Sequence, residues 1–333
     1  MSLFFCYLGA TFNLKVTIMK FSSWLIFLLS VSTLTVAQPK VELVNNPSEN
    51  KVEVLVGGDL FTAYIYPETI KKPVLWPVIT ANGHEVTRQY PLKIKPGERA
   101  DHPHHVGIWL NYGDVNGLDF WNNSDAIPPE KAENYGTIYH ENIEKTASGR
   151  GEGNLVTTAL WKTNNGDILL NERSEYTFRA SGKVRIVDRT TVLKAINGKV
   201  KMTDNKEGMF AIRVTRELEL PASGKVKGID SHGNVTEINA AENNVANGNY
   251  LSSEGITGSK VWGTRSRWMK LSGSIEGDEV AIVIFDHPGN PGYPTYWHAR
   301  GYGLFAANTL GQKIFSDGRS EERRVGKECA TGC

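Results

Sequence analysis

The segment Val184-Arg-Ile-Val-Asp-Arg-Thr-Thr-Val-Leu193 alternates apolar with polar residues over its first half, the pattern of a half-buried β-strand. Residues 154–162 and 168–180, just upstream, also alternate or carry β-branched residues, and Asn164-Asn-Gly-Asp167 between them reads as a hairpin turn. The same signals recur toward both ends. Residues 41–44, 52–56, 61–66 and 73–80 are short apolar runs punctuated by Asn-Pro and Gly-Gly, and Asn82-Gly83 closes the last with a tight turn. Residues 137–144 and 210–220 predict two more strands. The unbroken apolar run Val280-Ala-Ile-Val-Ile-Phe285 suits a strand buried on both faces. Residues 303–308 and 310–316 follow as final candidates. No segment carries a long helical period with caps at both ends, and residues 239–248 read as a helical turn or a loop. The expectation is all-β: one large antiparallel sandwich of two packed sheets.

The ends are read differently. Met19-Lys20 is a short basic start, residues 24–31 an apolar run and Thr35-Val-Ala37 a small-residue cleavage site, so residues 19–37 read as a signal peptide. That run is too short for a stable membrane span, which predicts a secreted or periplasmic protein starting near Gln38, with no integral span once the signal is removed. Residues 1–18 read as sequence translated ahead of the true start. Arg319-Ser-Glu-Glu-Arg-Arg-Val-Gly-Lys-Glu-Cys329, continued by residues 330–333, resembles the translation of a short-read sequencing adapter. The expected domain is therefore residues 38–318, a sandwich lacking its last one or two strands and left with an open edge.

Cys6, Cys329 and Cys333 are the only cysteines, so residues 38–318 hold no disulfide, thiolate zinc site or thiol nucleophile. Setting aside Lys15, Lys20, Arg319, Arg323, Arg324 and Lys327 leaves 31 of 37 basic residues, and setting aside Glu321, Glu322 and Glu328 leaves 33 of 36 acidic ones. The net charge is then −2, with no basic run, which argues against a nucleic-acid partner.

Chemistry concentrates in two segments. Asp101-His-Pro-His-His-Val-Gly-Ile-Trp-Leu-Asn-Tyr-Gly-Asp-Val-Asn-Gly-Leu-Asp-Phe-Trp121 holds three of the eight histidines beside Asp101, Asp114 and Asp119. Phe285-Asp-His-Pro-Gly-Asn-Pro291 followed by Tyr296-Trp-His-Ala-Arg-Gly-Tyr302 answers it. The two are expected to wall one pocket.

Together with Asp204-Asn-Lys-Glu-Gly208, Val261-Trp-Gly-Thr-Arg-Ser-Arg-Trp268 and Pro294-Thr-Tyr-Trp-His-Ala-Arg-Gly-Tyr-Gly-Leu-Phe-Ala-Ala-Asn308, these motifs resemble the PmoA family of exported bacterial proteins over nearly all of residues 38–318. The family name points to a methane monooxygenase subunit that spans the membrane several times. This chain has no spanning segment after its signal, so methane oxidation is not carried over. The family is similar to the galactose-mutarotase-like supersandwich group, which implies an open sugar-binding cleft across a large sheet, a warrant from fold analogy alone. Asn308-Thr-Leu-Gly311 departs from the family pattern, with threonine where proline is usual.

Three readings of the site follow. In the first, histidines and carboxylates act as general acid and base on a sugar, as an epimerase or mutarotase, a lyase or a hydrolase would. His104 or His105 stands opposite His298, with Glu207 or Asp286 as second proton carrier. Arg213, Arg267 and Arg300 hold sugar hydroxyls or a carboxylate, Trp109, Trp121 and Trp297 stack on the sugar, and Asp119, His287 and Tyr296 complete the contacts. In the second, His102, His104, His287 and His298 with Asp286 bind a divalent metal for oxygenase-like chemistry; no His-Glu-x-x-His pattern supports it, and no cofactor is favoured. In the third, the same residues bind a small sugar or oligosaccharide without turnover. Against all three stands a bland alternative: histidines bonded to backbone, tryptophans in the core and Glu207 in a surface turn.

Overall fold

The computed structural model describes residues 2–6, 38–241 and 245–313, the first of these by its main chain alone. In chain order the strands are β1 (Ser2–Cys6), β2 (Lys40–Asn46), β3 (Lys51–Val56), β4 (Asp59–Ile65), β5 (Val74–Val78) and β6 (Ile108–Tyr112). Next come β7 (Gly136–Ala147), β8 (Gly149–Arg150), β9 (Glu152–Thr163), β10 (Ile168–Ser181), β11 (Val184–Ala195) and β12 (Gly208–Arg213). The last are β13 (Lys225–Ile229), β14 (Val235–Asn239), β15 (Asn249–Ser252), β16 (Trp268–Ile275), β17 (Asp278–Asp286), β18 (Tyr296–Ala299) and β19 (Leu304–Asn308).

They form an all-β sandwich. One sheet has eight strands in the order β15-β16-β17-β1-β11-β10-β9-β7, the other nine in the order β18-β19-β12-β6-β5-β4-β3-β2-β8, and β13 and β14 make a separate hairpin. All named strand pairs are antiparallel. Between the sheets lies an apolar core in which Phe61, Phe178, Phe210, Ile212, Tyr250, Ile282, Trp297 and Phe305 meet. The signal segment, residues 19–37, and the adapter-like tail, residues 319–333, lie outside the described residues. Within the stretch read as upstream sequence, Ser2–Cys6 pairs on one side with Ile186–Thr190 of β11 and on the other with Val283–Asp286 of β17.

The hairpin turns fall where the sequence marks them. Gly166 takes a φ of 93° and its N–H bonds the Thr163 carbonyl, turning β9 into β10 as a positive-φ glycine permits. β17 is buried on both faces over residues 280–284, as its apolar run predicts. Two expectations differ. The segment 210–220 is a strand only to Arg213 and then turns through a 3-10 helix at Arg216–Leu218. Residues 310–313 belong to no strand.

β11 pairs in the predicted place, but its inward face is the polar one. Val187, Arg189 and Thr191 are buried while Val192 is exposed. Arg189 Nη2 lies 2.6 Å from Glu172 Oε1, Ser174 Oγ donates to the same carboxylate at 2.7 Å, and Trp161 Nε1 donates to Glu172 Oε2 at 2.9 Å. The Arg189 guanidinium also covers the Tyr176 ring at 5.0 Å. A fully bonded buried ion pair takes the place of aliphatic side chains, which hydrophobic alternation alone cannot anticipate.

Candidate functional site

The nine-stranded sheet is covered on its second face as well. β6, β12 and β19 are buried along their whole length. Paired residues across an antiparallel ladder share a face. The register sets Trp109 beside Ala211 and His298 beside Ala306, while the alternate positions Ile108, Phe210, Trp297 and Phe305 face the other sheet. A second apolar cluster including Trp109, Trp121, Ala211, Leu304 and Ala306 marks this outer layer. The candidate site is built on it.

The histidine loop is held by Arg88. Its Nη1 donates to the Asp101 carbonyl at 2.7 Å and to Asp101 Oδ1 at 3.0 Å, and its Nη2 to the carbonyls of His102 and His105 at 2.8 and 2.9 Å. Burial first, then the charge of Arg213, lowers Arg88 to about 9, where it remains charged at neutral pH. Asp101 Oδ1 also takes Arg213 Nη2 at 2.6 Å. Burial would raise the Asp101 carboxyl, but the bond to His102 and the charges of Arg213 and Arg88 prevail and hold it well below the usual carboxylate range. His102 adopts a φ of 44°, a left-handed backbone rare for a non-glycine residue. Gly107, at a φ of 59°, then takes the chain into β6 where any side chain would strike the Leu75 carbonyl.

The rings form a stack running from the surface to the sheet. His102 lies parallel to Tyr302 at 5.0 Å and to His105 at 4.9 Å between ring centres, and His105 stacks on Trp109 at 5.3 Å. His104 meets His105 edge-on at 4.3 Å. Trp121 joins the two predicted segments: it touches His105 at 5.7 Å and stacks on His298 at 6.2 Å. Arg213 lies over Tyr302 at 4.9 Å, and Arg300 bridges Tyr302 and Trp262 at 5.9 and 5.4 Å.

The expected open cleft is corrected. His105, Trp109, Trp121, Arg213 and His298 are between 0 and 2 % exposed, because the loops carrying Asp101 and Asp119 close over the sheet. Only a rim reaches solvent, at His102 with its side chain 40 % exposed and at Asp101, Lys206, Glu207, Arg300 and Tyr302, which are half-buried. Beneath it, His104 Nε2, His105 Nε2 and His298 Nδ1 have no hydrogen-bond partner among the described residues.

Glu207 belongs to this rim. The turn from Asp204 to Gly208 is pinned from both sides: Gly113 N–H bonds the Glu207 carbonyl at 2.8 Å, Asn308 Nδ2 the Asn205 carbonyl at 2.7 Å, and Gln312 N–H the Asp204 carboxylate at 2.9 Å. Glu207 Oε1 pairs with Lys206 at 3.0 Å, and Oε2 lies 3.5 Å from His298 Nδ1. The His298 ring also bonds the Lys206 backbone. Since Nδ1 is without a partner, that bond belongs to Nε2–H, and the Nδ1 lone pair faces Glu207.

Burial governs the titration of the layer. It lowers His298 to about 3, helped by the charges of Arg300 and Lys206. It lowers His104 well below the ordinary histidine value, with Lys72 and His102 adding to the effect, and His105 likewise, with His104 and Arg213 adding. Asp119 accepts the N–H groups of Trp121 and Asn122 at 2.8 and 2.9 Å and caps its own turn. Burial still raises it, and the charge of Glu207 adds to the rise.

Several expected contacts do not join this layer. Asp286 closes the loop that leads into β18, accepting Asn290 Nδ2 at 2.7 Å and Thr295 N–H at 2.8 Å. His287 is exposed and its Nδ1 accepts Gly289 N–H at 3.0 Å. Trp297 faces the inter-sheet core and donates to the Ser266 carbonyl at 3.1 Å, because β18 alternates and His298 takes the other face. Tyr296 lies under Arg265 at 5.2 Å, and Arg267 is exposed. The metal set of His102, His104, His287 and His298 is therefore not assembled; among the described residues no group of three or more His, Cys, Asp or Glu is placed to hold a metal ion.

Three participants escape a motif reading. Arg88 and Lys72 lie outside the dense segments, and Tyr302 stands in one without a role assigned to it. Lys72 is 2 % exposed, donates to the His104 carbonyl at 2.6 Å and lies 5.3 Å from the Trp109 ring. Burial lowers it to about 7 against the opposing charge of Asp119.

A family model covers this whole site: residues 51–327 match a family of unknown function, DUF6807. The chain belongs to that family. No curated protein and no solved structure matches it. No helix among the described residues is long and apolar enough to cross a membrane.

Proposed function

We propose that the chain is an exported carbohydrate-active protein that takes a sugar at the rim formed by His102, Glu207, Arg300 and Tyr302. The resemblance of its motifs to the PmoA family, and through it to mutarotase-like sandwiches, supports the substrate class. The observation that carries the reading is the 3.5 Å separation between His298 Nδ1 and Glu207 Oε2. It sets a carboxylate at the rim against a buried neutral imidazole, a surrounding that suits Glu207 to take a hydroxyl proton.

In this reading Glu207 takes the proton from a sugar hydroxyl at the rim, and His298, kept neutral by burial, packs behind the Glu207 carboxylate. His102, exposed and 3.3 Å from Asp101 Oδ2, returns a proton to the ring oxygen or leaving oxygen. Tyr302 and Arg300 offer a stacking face and a hydroxyl-binding guanidinium. His104 and His105 support the His102 stack, since burial keeps them from carrying protons near neutrality.

A second reading, binding without turnover, is favoured by one specific observation. Burial lowers all three of His104, His105 and His298, so none is an acid at neutral pH. The test is NMR of α-D-galactose and α-D-glucose with the protein, following anomer interconversion, with product release followed on oligosaccharides. Faster interconversion that is lost in Glu207→Gln supports catalysis. Saturable binding with no change in any rate supports the binder and overturns the catalytic reading.

A further inference from the structure

Arg300 stands apart from the other cations of the rim. It sits in the turn between β18 and β19, and its backbone is fixed there. Its N–H bonds the Leu304 carbonyl at 2.8 Å, and its own carbonyl accepts Gly303 N–H at 3.1 Å and the Tyr250 hydroxyl at 3.3 Å. The guanidinium lies over the Trp262 ring at 5.4 Å and the Tyr302 ring at 5.9 Å. Contacts with ring faces hold a cation in place without using up its N–H donors. Among the described residues this guanidinium makes no hydrogen bond and no ion pair. Arg300 is half-buried and none of its nitrogens is enclosed, so these free donors reach solvent.

The acidic groups around it are already answered. Asp101 has Arg88 at 3.0 Å and Arg213 at 2.6 Å, and Glu207 has Lys206 at 3.0 Å. Deeper in the layer, Asp119 is bonded within its own turn and faces the charge of Lys72. Positive charge therefore exceeds negative at the rim, and Arg300 is left without a carboxylate. It belongs to the same site as Glu207: after burial, the charge of Arg300 is the largest influence lowering His298, which lies 3.5 Å from the Glu207 carboxylate. A planar guanidinium with free donors pairs with a carboxylate through two parallel N–H bonds. A neutral sugar leaves that charge unanswered, and a doubly charged phosphate is opposed by Glu207.

We propose that the sugar taken at this rim is a uronate, its carboxylate on the Arg300 guanidinium and its ring hydroxyls toward Glu207. The proposal rests on the sugar reading of the rim and narrows it to an acidic substrate class. The test is calorimetric titration of the full chain with D-galacturonate, D-glucuronate, the methyl ester of each and D-galactose, on the wild type and Arg300→Gln. The ester keeps the hydroxyls and removes the charge, so the wild type alone decides the matter should Arg300→Gln fail to fold. At least one uronate is expected to bind saturably and at least about tenfold more tightly than its ester, and Arg300→Gln to bring the acid down to the affinity of the ester. An ester bound as tightly as its acid, a uronate affinity unchanged in Arg300→Gln, or absence of binding by either uronate would overturn the proposal. Saturable binding of D-galactose alongside any of those results would leave the sugar reading of the rim standing.

Discussion

Arg88 holds Asp101 twice, through the carbonyl at 2.7 Å and the carboxylate at 3.0 Å, and with its second nitrogen ties down the carbonyls of His102 and His105. One buried guanidinium therefore sets the path of the whole histidine loop. Replacing it with methionine leaves these carbonyls without a donor and the Asp101 charge with Arg213 as its remaining buried partner. The expected cost is about 3–5 kcal/mol, read as a lower urea midpoint. The loop loses its register, so the imidazole NMR signals of His102, His104 and His105 shift together while that of exposed His287 does not.

The Glu172–Arg189 pair makes a second case. Arg189→Met alone strands a buried carboxylate and is expected to cost about 3–5 kcal/mol. The double variant Arg189→Met/Glu172→Leu removes both charges and should recover most of that loss. Urea unfolding of the two single variants and the double one measures the coupling. Additive losses would show that the two side chains do not act as a pair.

Acid should unfold the protein. His104, His105, His298 and His140 all sit below their ordinary value, chiefly through burial, with His298 near 3 and His140 near 4. Between the folded values and about 6.5 the unfolded chain binds more protons than the folded one, so stability rises with pH in that window and falls on acidification. Lys72, lowered to about 7, acts in the same direction between 7 and 10.5. Unfolding free energy measured from pH 7 to pH 4 should drop steeply, and His298→Gln should reduce the slope by about one proton.

β1 offers a test of the two ways to read the first residues. Its pairing joins β11 to β17 in the middle of the eight-stranded sheet, and unpaired edges invite association. Export with cleavage before Gln38 predicts that the protein without residues 1–37 is a monodisperse monomer by light scattering. Concentration-dependent self-association would show instead that the sheet depends on Ser2–Cys6.

The strands were legible because their cause is local. The alternation and turn chemistry around residues 154–193 fixed β9, β10 and β11 nearly to the residue. Which face of β11 turns inward was not legible, since Arg189 is buried by a partner 17 positions away in sequence. The convergence of residues 101–121 with His298 was legible from composition, and Trp121 realises it. Asp286, His287 and Trp297 misled, because density of chemical residues in a segment says nothing about which face each one takes. Arg88 and Lys72 were silent because an isolated basic residue carries no signal until its burial is known.

The central claim is that a sugar binds at the rim through Glu207. Isothermal titration of the wild type and Glu207→Gln with the tightest-binding sugar from a mono- and oligosaccharide panel tests it most directly. The account predicts saturable binding to the wild type and an affinity at least about tenfold weaker in the variant, near 1.4 kcal/mol. Equal affinity in both proteins would contradict it.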